Sequence, residues 1–235
     1  MILEVCCENI ESAIIASKNG ADRIELCSSL VTGGLSPNPS TIKILKEEIE
    51  TPIMVLIRPR AGNFFYSELE KSQMFNEIEL SLQAGADGIV IGALTEKFEV
   101  DVNFIQQALS LCDNYSTTFH RAFDFVKNPL KELEKLIDLG INRILSSGGA
   151  NSAFEGKDLL KKLIIAANNQ IEIMPGAGIN SSNIKIIIDE LSPNEIHLSA
   201  KKLVQHTNSK APFNVDYFIT DDIELKNIKA IIEDE

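Results

Sequence analysis

One short pattern recurs along the chain and limits the folds that the chain can adopt. Residues 20–26 have the sequence GADRIEL, residues 85–91 have GADGIVI, and residues 139–145 have LGINRIL. In each copy a glycine ends a helical stretch, because glycine adopts the left-handed conformation found there, and a strand follows at once. A helix–strand junction that repeats in this way is typical of a β/α architecture.

Eight candidate strands alternate with helical patterns. The strands are predicted at 2–6, 23–27, 53–58, 88–92, 117–120, 143–147, 171–174 and 195–199. The helices are predicted at 8–19, 39–50, 67–84, 101–113, 128–139, 157–169, 181–190 and 221–233. This alternation in 235 residues predicts a single α/β domain over 1–235, a (β/α)8 TIM barrel. The alternative is an open doubly wound sheet, although no GxGxxG sequence follows the first strand.

The strands also indicate which side chains face the barrel interior. Strand side chains alternate between two faces, and the face toward the helices has to be apolar. Aliphatic residues such as Leu3, Val5 and Ile24 therefore face outward. A polar and largely charged set faces inward: Glu4, Cys6, Arg23, Glu25, Cys27, Arg58, Thr118, His120, Arg143, Ser147, Glu172, Glu195 and His197. Because buried ions are costly unless they pair, we expect the lower members to form a structural ion network.

Residues 118–124 (TFHRAFD) place a histidine, an arginine and a carboxylate at the end of the fifth strand. The C-terminal strand ends of such barrels carry the chemistry. We therefore interpret His120 as a catalytic general acid or base. Asp124 or the lumenal Glu25 is the carboxylate expected to orient it. Asp124 could instead pair with Arg121.

The loop after the third strand carries two arginines, Arg58 and Arg60, beside the aromatic run 64–66. This composition favours a lid that holds a small anion, although the aromatic residues could simply pack on the barrel rim. The stretch after the eighth strand, with Lys201, Lys202 and His206, is predicted either to cover the barrel mouth or to form a surface loop.

Glycine-rich turns follow the sixth and seventh strands, at Ser147 and Gly148 and at Gly176. Such turns direct backbone N–H groups toward an anion, and barrels of this class often bind phosphate beyond their last two strands. Tight connections need glycine for their geometry in any case. Anion binding here is therefore one of two interpretations.

The composition excludes some classes of function. A net charge of −12 argues against a nucleic-acid groove, which needs a basic surface. No apolar run is long enough for a transmembrane helix, and no signal peptide is visible, so we expect a cytoplasmic protein. The four cysteines lack CxxC spacing, which indicates free thiols rather than a structural zinc site. No motif for an organic cofactor is visible.

Several stretches together resemble the CutC family. They are 4–6 (EVC), 20–28 (GADRIELCS), 57–60 (IRPR), 118–124 (TFHRAFD), 147–148 (SG), 174–176 (MPG) and 195–199 (EIHLS). The resemblance implies a TIM barrel, a cytoplasmic location and a proposed copper-binding role in copper homeostasis. It also suggests self-association, and we expect a homodimer. The chain departs from the family pattern at 7–9 (CEN) and 176–178 (GAG).

The cysteines that match the family, Cys6 and Cys27, both face the lumen on adjacent strands. Two thiolates, with His197 or Met174 from across the mouth, suit the soft ion Cu(I). Both cysteines could equally be small buried hydrophobic residues. The alternative function is an enzyme of unknown reaction on a small phosphorylated or carboxylated metabolite. Its substrate-binding residues are predicted to be Arg58, Arg60, Arg121, Ser147, Gly148, Gly176 and His197.

Overall fold

The repeated helix–strand junctions build a barrel of parallel strands, seen in a computed structural model that describes residues 1–205 and 216–234. The barrel strands are β1 (Ile2–Cys7), β2 (Arg23–Leu26), β3 (Ile53–Leu56), β4 (Gly88–Ile91), β5 (Ser116–Phe119), β6 (Arg143–Ser146), β7 (Glu172–Pro175) and β8 (Glu195–Leu198). The helices are α1 (Ile10–Lys18), α2 (Pro39–Glu48), α3 (Glu68–Gln83), α4 (Val102–Leu111), α5 (Pro129–Leu139), α6 (Lys157–Ala167), α7 (Ile184–Leu191) and α8 (Asp222–Glu233).

Strand pairing follows the order β7-β6-β5-β4-β3-β2-β1-β8. All of these pairs are parallel, and a bridge between Gly176 and His197 closes the ring between β7 and β8. The predicted (β/α)8 TIM barrel is thereby confirmed. In the β1 register, Glu4 lies between Arg23 and His197, and Cys6 lies opposite Glu25.

A hairpin after β8 was not predicted as strands. It consists of β9 (Lys201–Val204) and β10 (Tyr217–Thr220), which pair antiparallel. The charged sequence KKLV carries a weak strand pattern, and its partner lies across a long connection. His206 lies outside the described residues.

Local sequence explains where several helices begin. Ser67 and Glu70 form a reciprocal capping box at the start of α3. Asn128 accepts a hydrogen bond from the Lys131 N–H, and Pro129 occupies the first turn of α5. Within the described part of the chain, no helix combines the length and the apolar character that a membrane span requires.

The outward strand faces are apolar, as the alternation predicts. Leu3, Val5 and Ile24 are fully buried against the helices. Cys7 belongs to this outer layer, whereas Cys6 and Cys27 pack together inside the barrel. Alternation along β1 therefore separates the two neighbouring cysteines.

An ion network fills the lower barrel interior. The Arg23 guanidinium contacts Glu4 at 2.5 Å and also contacts Glu195. Arg143 lies 3.0 Å from the same Glu195 carboxylate and donates to the Thr118 hydroxyl at 3.1 Å. The expected structural pairing of these charges is confirmed. Glu172 lies opposite the lumenal Arg143 in the strand register, as predicted, and is half-buried, accepting a hydrogen bond from the Asn194 side chain at 3.1 Å.

Replacing Arg23 with methionine should lower the free energy of unfolding by about 3–5 kcal/mol, because it leaves two buried carboxylates without their shared cation. Urea denaturation of the variant and of wild type measures the difference. Lys226→Met is the control, since Lys226 pairs with Asp222 at 3.2 Å on the exposed surface and should change stability by less than about 1 kcal/mol. Equal, small effects would show that the interior network is not structural.

Candidate functional site

A cavity of about 420 Å³ opens at the C-terminal ends of the barrel strands. Its wall includes the side chains of Cys6, Glu25, Arg58, Phe64, His120 and His197. They come from five strands or the loops that follow them. The position agrees with the face on which such barrels hold their ligands.

Two thiols lie together at one side of this cavity. The Cys6 Sγ is 3.7 Å from the Cys27 Sγ and 3.4 Å from the Glu25 Oε1. Ligand atoms of Cys6, Glu25 and His197 lie within 4.8 Å of one another. We call Cys6, Cys27, Glu25 and His197 the thiol cluster. Met174 is occupied elsewhere, because its sulfur accepts a hydrogen bond from Arg23.

The protonation of the thiol cluster follows from burial and pairing. Burial disfavours a charged imidazole, but the charge of Glu25 and hydrogen bonds to Cys6 and Glu4 raise the pKa of His197 well above its usual value. The His197 Nδ1 lies 2.7 Å from the Glu4 Oε1. Burial alone would raise the pKa of Glu4, yet His197 and Arg23 together lower it to about 2. The charged imidazole of His197 is therefore hydrogen-bonded to the buried carboxylate of Glu4.

The pKa values of Cys6 and Glu25 in this cluster are raised as well. The hydrogen bond with Cys27 and burial raise the pKa of the Cys6 thiol well above its usual value. Burial also raises the pKa of Glu25. One Glu25 oxygen, Oε2, is buried and has no hydrogen-bond partner among the described residues. An unpartnered buried oxygen beside two thiols is a position that a cation would satisfy.

His120 lies in the opposite part of the cavity wall, where β5 gives way to a 3₁₀ turn at Arg121–Phe125. Its Nδ1 accepts a hydrogen bond from the Ala122 N–H at 3.1 Å and so caps this turn. Gly92 makes room for the ring, since a Cβ there would come within 2.5 Å of the imidazole. Burial and the charge of Arg58 lower the pKa of His120 to about 3, which leaves the imidazole neutral near pH 7.

Arg58 joins two loops over the cavity. Its Nη1 donates to the carbonyls of Thr32 and Gly34 at 3.0 and 2.8 Å, and its Nη2 donates to the Gly62 carbonyl at 2.9 Å. The guanidinium also lies 5.1 Å from the Phe64 ring centroid. Arg58, which was predicted to hold an anion, therefore mainly connects the loops that follow β2 and β3 through these hydrogen bonds.

Arg60 does not share this role. It contacts Glu70 at 2.5 Å and donates to the Phe65 carbonyl at 2.8 Å. Arg60 is not among the described residues that line the cavity. The contacts of Arg60 therefore stabilise the loop after β3 away from the cavity.

Asp124 is bonded to the loop after β6 and not to His120. Its carboxylate accepts hydrogen bonds from the Ser146 hydroxyl at 2.6 Å, the Ser147 N–H at 3.0 Å and the Gly149 N–H at 3.2 Å. Arg121 donates to the same carboxylate at 2.8 Å. The expectation that Asp124 orients His120 is therefore corrected. The backbone donors that could have held a phosphate there already hold this side chain.

The comparisons with known proteins identify the family. The model of the CutC family matches residues 1–202. A family protein CutC of Pasteurella multocida is 40% identical over 242 residues, covering 99% of each chain. The chain belongs to the CutC family. The human copper homeostasis protein cutC homolog is 43% identical over 200 residues, which is 85% of this chain and 73% of that protein.

Solved structures agree with this assignment. The putative copper homeostasis protein CutC of Streptococcus agalactiae superposes with a TM-score of 0.80 at 33% identity, over 85% of this chain and 98% of that one. The N-(5'-phosphoribosyl)anthranilate isomerase of Pyrococcus furiosus superposes with a TM-score of 0.61 at 13% identity, with full coverage of both chains. The second likeness shows the barrel fold that CutC proteins share with other families.

In this CutC-family chain the cavity wall contains six of the predicted site residues: Cys6, Glu25, Arg58, His120, Arg121 and His197. Ser147, Gly148 and Gly176 are not among the described lining residues. The Gly148 N–H donates to the Ser146 hydroxyl, and the Gly176 N–H donates to the Ser146 carbonyl. These glycines therefore shape the loops around the cavity.

Sequence reasoning missed several wall residues, namely Gly33, Asn151, Ala177 and Ile179, whereas Lys201 belongs to the stretch predicted to cover the barrel mouth. The missed residues come from loops whose course no strand or helix pattern specifies. The GAG turn after β7 was the one available signal. Ala177 in that turn has a φ of 89°, which is unusual for a residue with a side chain.

Changing Asp124 to asparagine should lower the free energy of unfolding by about 2–3 kcal/mol, because a charged acceptor of several N–H and O–H groups becomes a partial donor. Urea denaturation measures this loss, and hydrogen exchange of the Ser147 and Gly149 amides should become faster. Asp138→Asn on the exposed face of α5 is the matched control. Unchanged exchange at both amides would contradict the role assigned to Asp124.

Proposed function

We propose that this protein binds Cu(I) as its cargo at the thiol cluster, with Cys6 and Cys27 as the principal ligands. The distance of 3.7 Å between their sulfur atoms carries the proposal. An ion about 2.3 Å from each sulfur, the length of a zinc–thiolate bond, fits between sulfurs at this separation. Thiolates are the ligands that Cu(I) prefers.

The carboxylate of Glu25 in the thiol cluster also fits a bound cation. The Glu25 Oε2 has no partner among the residues that the structure describes, and Glu25 belongs, with Cys6 and His197, to the group whose ligand atoms lie within 4.8 Å of one another. The name of the human relative, copper homeostasis protein cutC homolog, also supports copper as the cargo.

Binding has to displace protons. The raised pKa of Cys6, which follows from its hydrogen bond with Cys27 and from burial, keeps the thiol protonated in the metal-free protein. A metal ligand must lose its proton, so Cu(I) binding releases protons to solvent. The adjacent imidazolium of His197 favours the resulting thiolates by its charge.

The protein should bind roughly one equivalent of Cu(I), since the two thiols form a single site. The variant with both Cys6→Ser and Cys27→Ser should lose at least about 100-fold in affinity, because serine offers no soft ligand. Competition with the Cu(I) chelator bicinchoninate, under anaerobic conditions, measures the affinity.

The matched control is the variant with both Cys7→Ser and Cys112→Ser. It removes the same number of buried thiols from positions outside the cluster. It should keep wild-type affinity. Equal Cu(I) affinity in both double variants would eliminate the proposed site.

The alternative function is an enzyme that acts on a small anionic metabolite in the same cavity. One observation favours it: Arg58 and His120 each carry a buried N–H group that lacks an acceptor within the described residues. A thermal-shift screen of phosphorylated and carboxylated metabolites tests this function. It predicts an anion that stabilises wild type more than Arg58→Lys, and the absence of any such anion would count against it.

Other expectations stay predictions. They are a cytoplasmic location, a homodimer, and the absence of nucleic-acid partners. The net charge of −12 supports the last of these.

A further inference from the structure

Two buried N–H groups in the cavity wall are left without an acceptor in residues 1–205 and 216–234. They are the Nε of Arg58 and the Nε2 of His120. Both side chains are more than nine-tenths buried, at 6% and 5% exposure. A buried donor without an acceptor is unfavourable by about 1–3 kcal/mol, and a native protein that retains one commonly uses it.

The tautomer of His120 is set by its neighbour. Because Nδ1 accepts the Ala122 N–H at 3.1 Å, a neutral imidazole must carry its proton on Nε2. Burial and the charge of Arg58 lower the pKa of His120 to about 3, in agreement with a neutral ring. His120 is therefore a hydrogen-bond donor toward a ligand. This differs from the general acid or base that the sequence predicts.

Arg58 contributes a charge that no carboxylate balances among its recorded partners. Its Nη groups donate to the main-chain carbonyls of Thr32, Gly34 and Gly62. Its Nε–H and the second N–H of Nη2 remain for a ligand. A buried guanidinium whose partners are all neutral attracts an anion into the cavity.

Phe64 holds the two donors in one place. Its ring centroid is 5.0 Å from that of His120 and 5.1 Å from the Arg58 guanidinium. The ring therefore packs against both side chains in the wall of the same cavity. The loop that carries Phe64 is thus part of the binding site.

The backbone N–H groups of the glycine-rich turns bear on whether the anion is a phosphate or a carboxylate. The N–H groups of Ser147 and Gly149 already donate to Asp124, and those of Gly148 and Gly176 donate to Ser146. A phosphate group is usually held by several backbone donors. Two side chains that each offer an N–H group match the two oxygens of a carboxylate.

We infer that the cavity binds the carboxylate group of a small molecule, with Arg58 Nε–H donating to one oxygen and His120 Nε2–H to the other. The inference deepens the alternative function above and rests on it. It does not depend on Cu(I) binding, because neither donor belongs to the thiol cluster. Phosphate esters without a carboxylate are not ligands of this pair.

The experiment measures binding of lactate to the metal-free protein by isothermal titration. Lactamide has nearly the same shape without the charge, and inorganic phosphate represents the other class of anion. Lactate should bind, while lactamide and phosphate should bind at least about 10-fold more weakly. Tighter binding of phosphate, or equal binding of lactate and lactamide, would overturn the inference.

Two variants of His120 separate its role as a hydrogen-bond donor to the ligand from its role as the N-cap of the 3₁₀ turn. His120→Asn keeps an acceptor near Nδ1 for the Ala122 N–H and loses the outer donor, whereas His120→Gln keeps a donor near Nε2. His120→Asn should weaken lactate binding by about 10- to 100-fold, and His120→Gln should weaken it less. Thermal denaturation of both variants checks that they remain folded.

A spectroscopic measurement tests the tautomer without a variant that could fail to fold. The ¹⁵N chemical shifts of His120 should show an unprotonated Nδ1 and a protonated Nε2 at pH 7. A proton on Nδ1, or equal lactate affinity in wild type and His120→Asn, would overturn the inference. If lactate fails while a phosphorylated metabolite stabilises the protein, the carboxylate class is wrong and the alternative function survives.

Discussion

The contact of Arg23 with Glu4 and Glu195 is the interaction on which the rest of the site depends. These residues lie on three adjacent strands, β2, β1 and β8, and their charges cannot remain in the barrel interior singly. Glu4 then faces a second cation, because its other oxygen lies 2.7 Å from the His197 Nδ1. The ion network below the cavity thereby orients the imidazole above it and, together with the charge of Glu25, favours its charged form.

The cavity divides into two chemically different parts. The thiol cluster offers soft ligands and an unpartnered carboxylate oxygen, a set suited to a cation. The wall formed by Arg58 and His120 offers N–H donors and a positive charge, which suit an anion. Cargo and small-molecule ligand could therefore occupy one cavity without sharing a protein ligand, and the two proposals can be tested separately.

Alternation along the strands accounts for much of what could be predicted from the sequence. It placed Cys6 and Cys27 on the same face of neighbouring strands, and Glu4, Arg23 and Glu195 together in the barrel interior. These are consequences of a period of two and of parallel pairing. The same rule identified His120 as a lumenal residue, although it could not state which nitrogen carries the proton.

Apart from the pairing of Asp124 with Arg121, the partners of loop residues could not be predicted. Arg58 donates to three main-chain carbonyls, and Asp124 accepts from the turn after β6, because each loop folds so that its own polar groups are paired. Spacing in the sequence carries no information about such contacts. The hairpin of β9 and β10 was missed for a related reason, since its two strands are separated by a long connection.

X-ray absorption at the copper edge, on protein loaded with one equivalent of Cu(I), tests the central claim most directly. Two sulfur atoms, contributed by Cys6 and Cys27, should dominate the first coordination shell. A shell made only of nitrogen and oxygen atoms would contradict the claim, because copper would then lie away from the paired thiols.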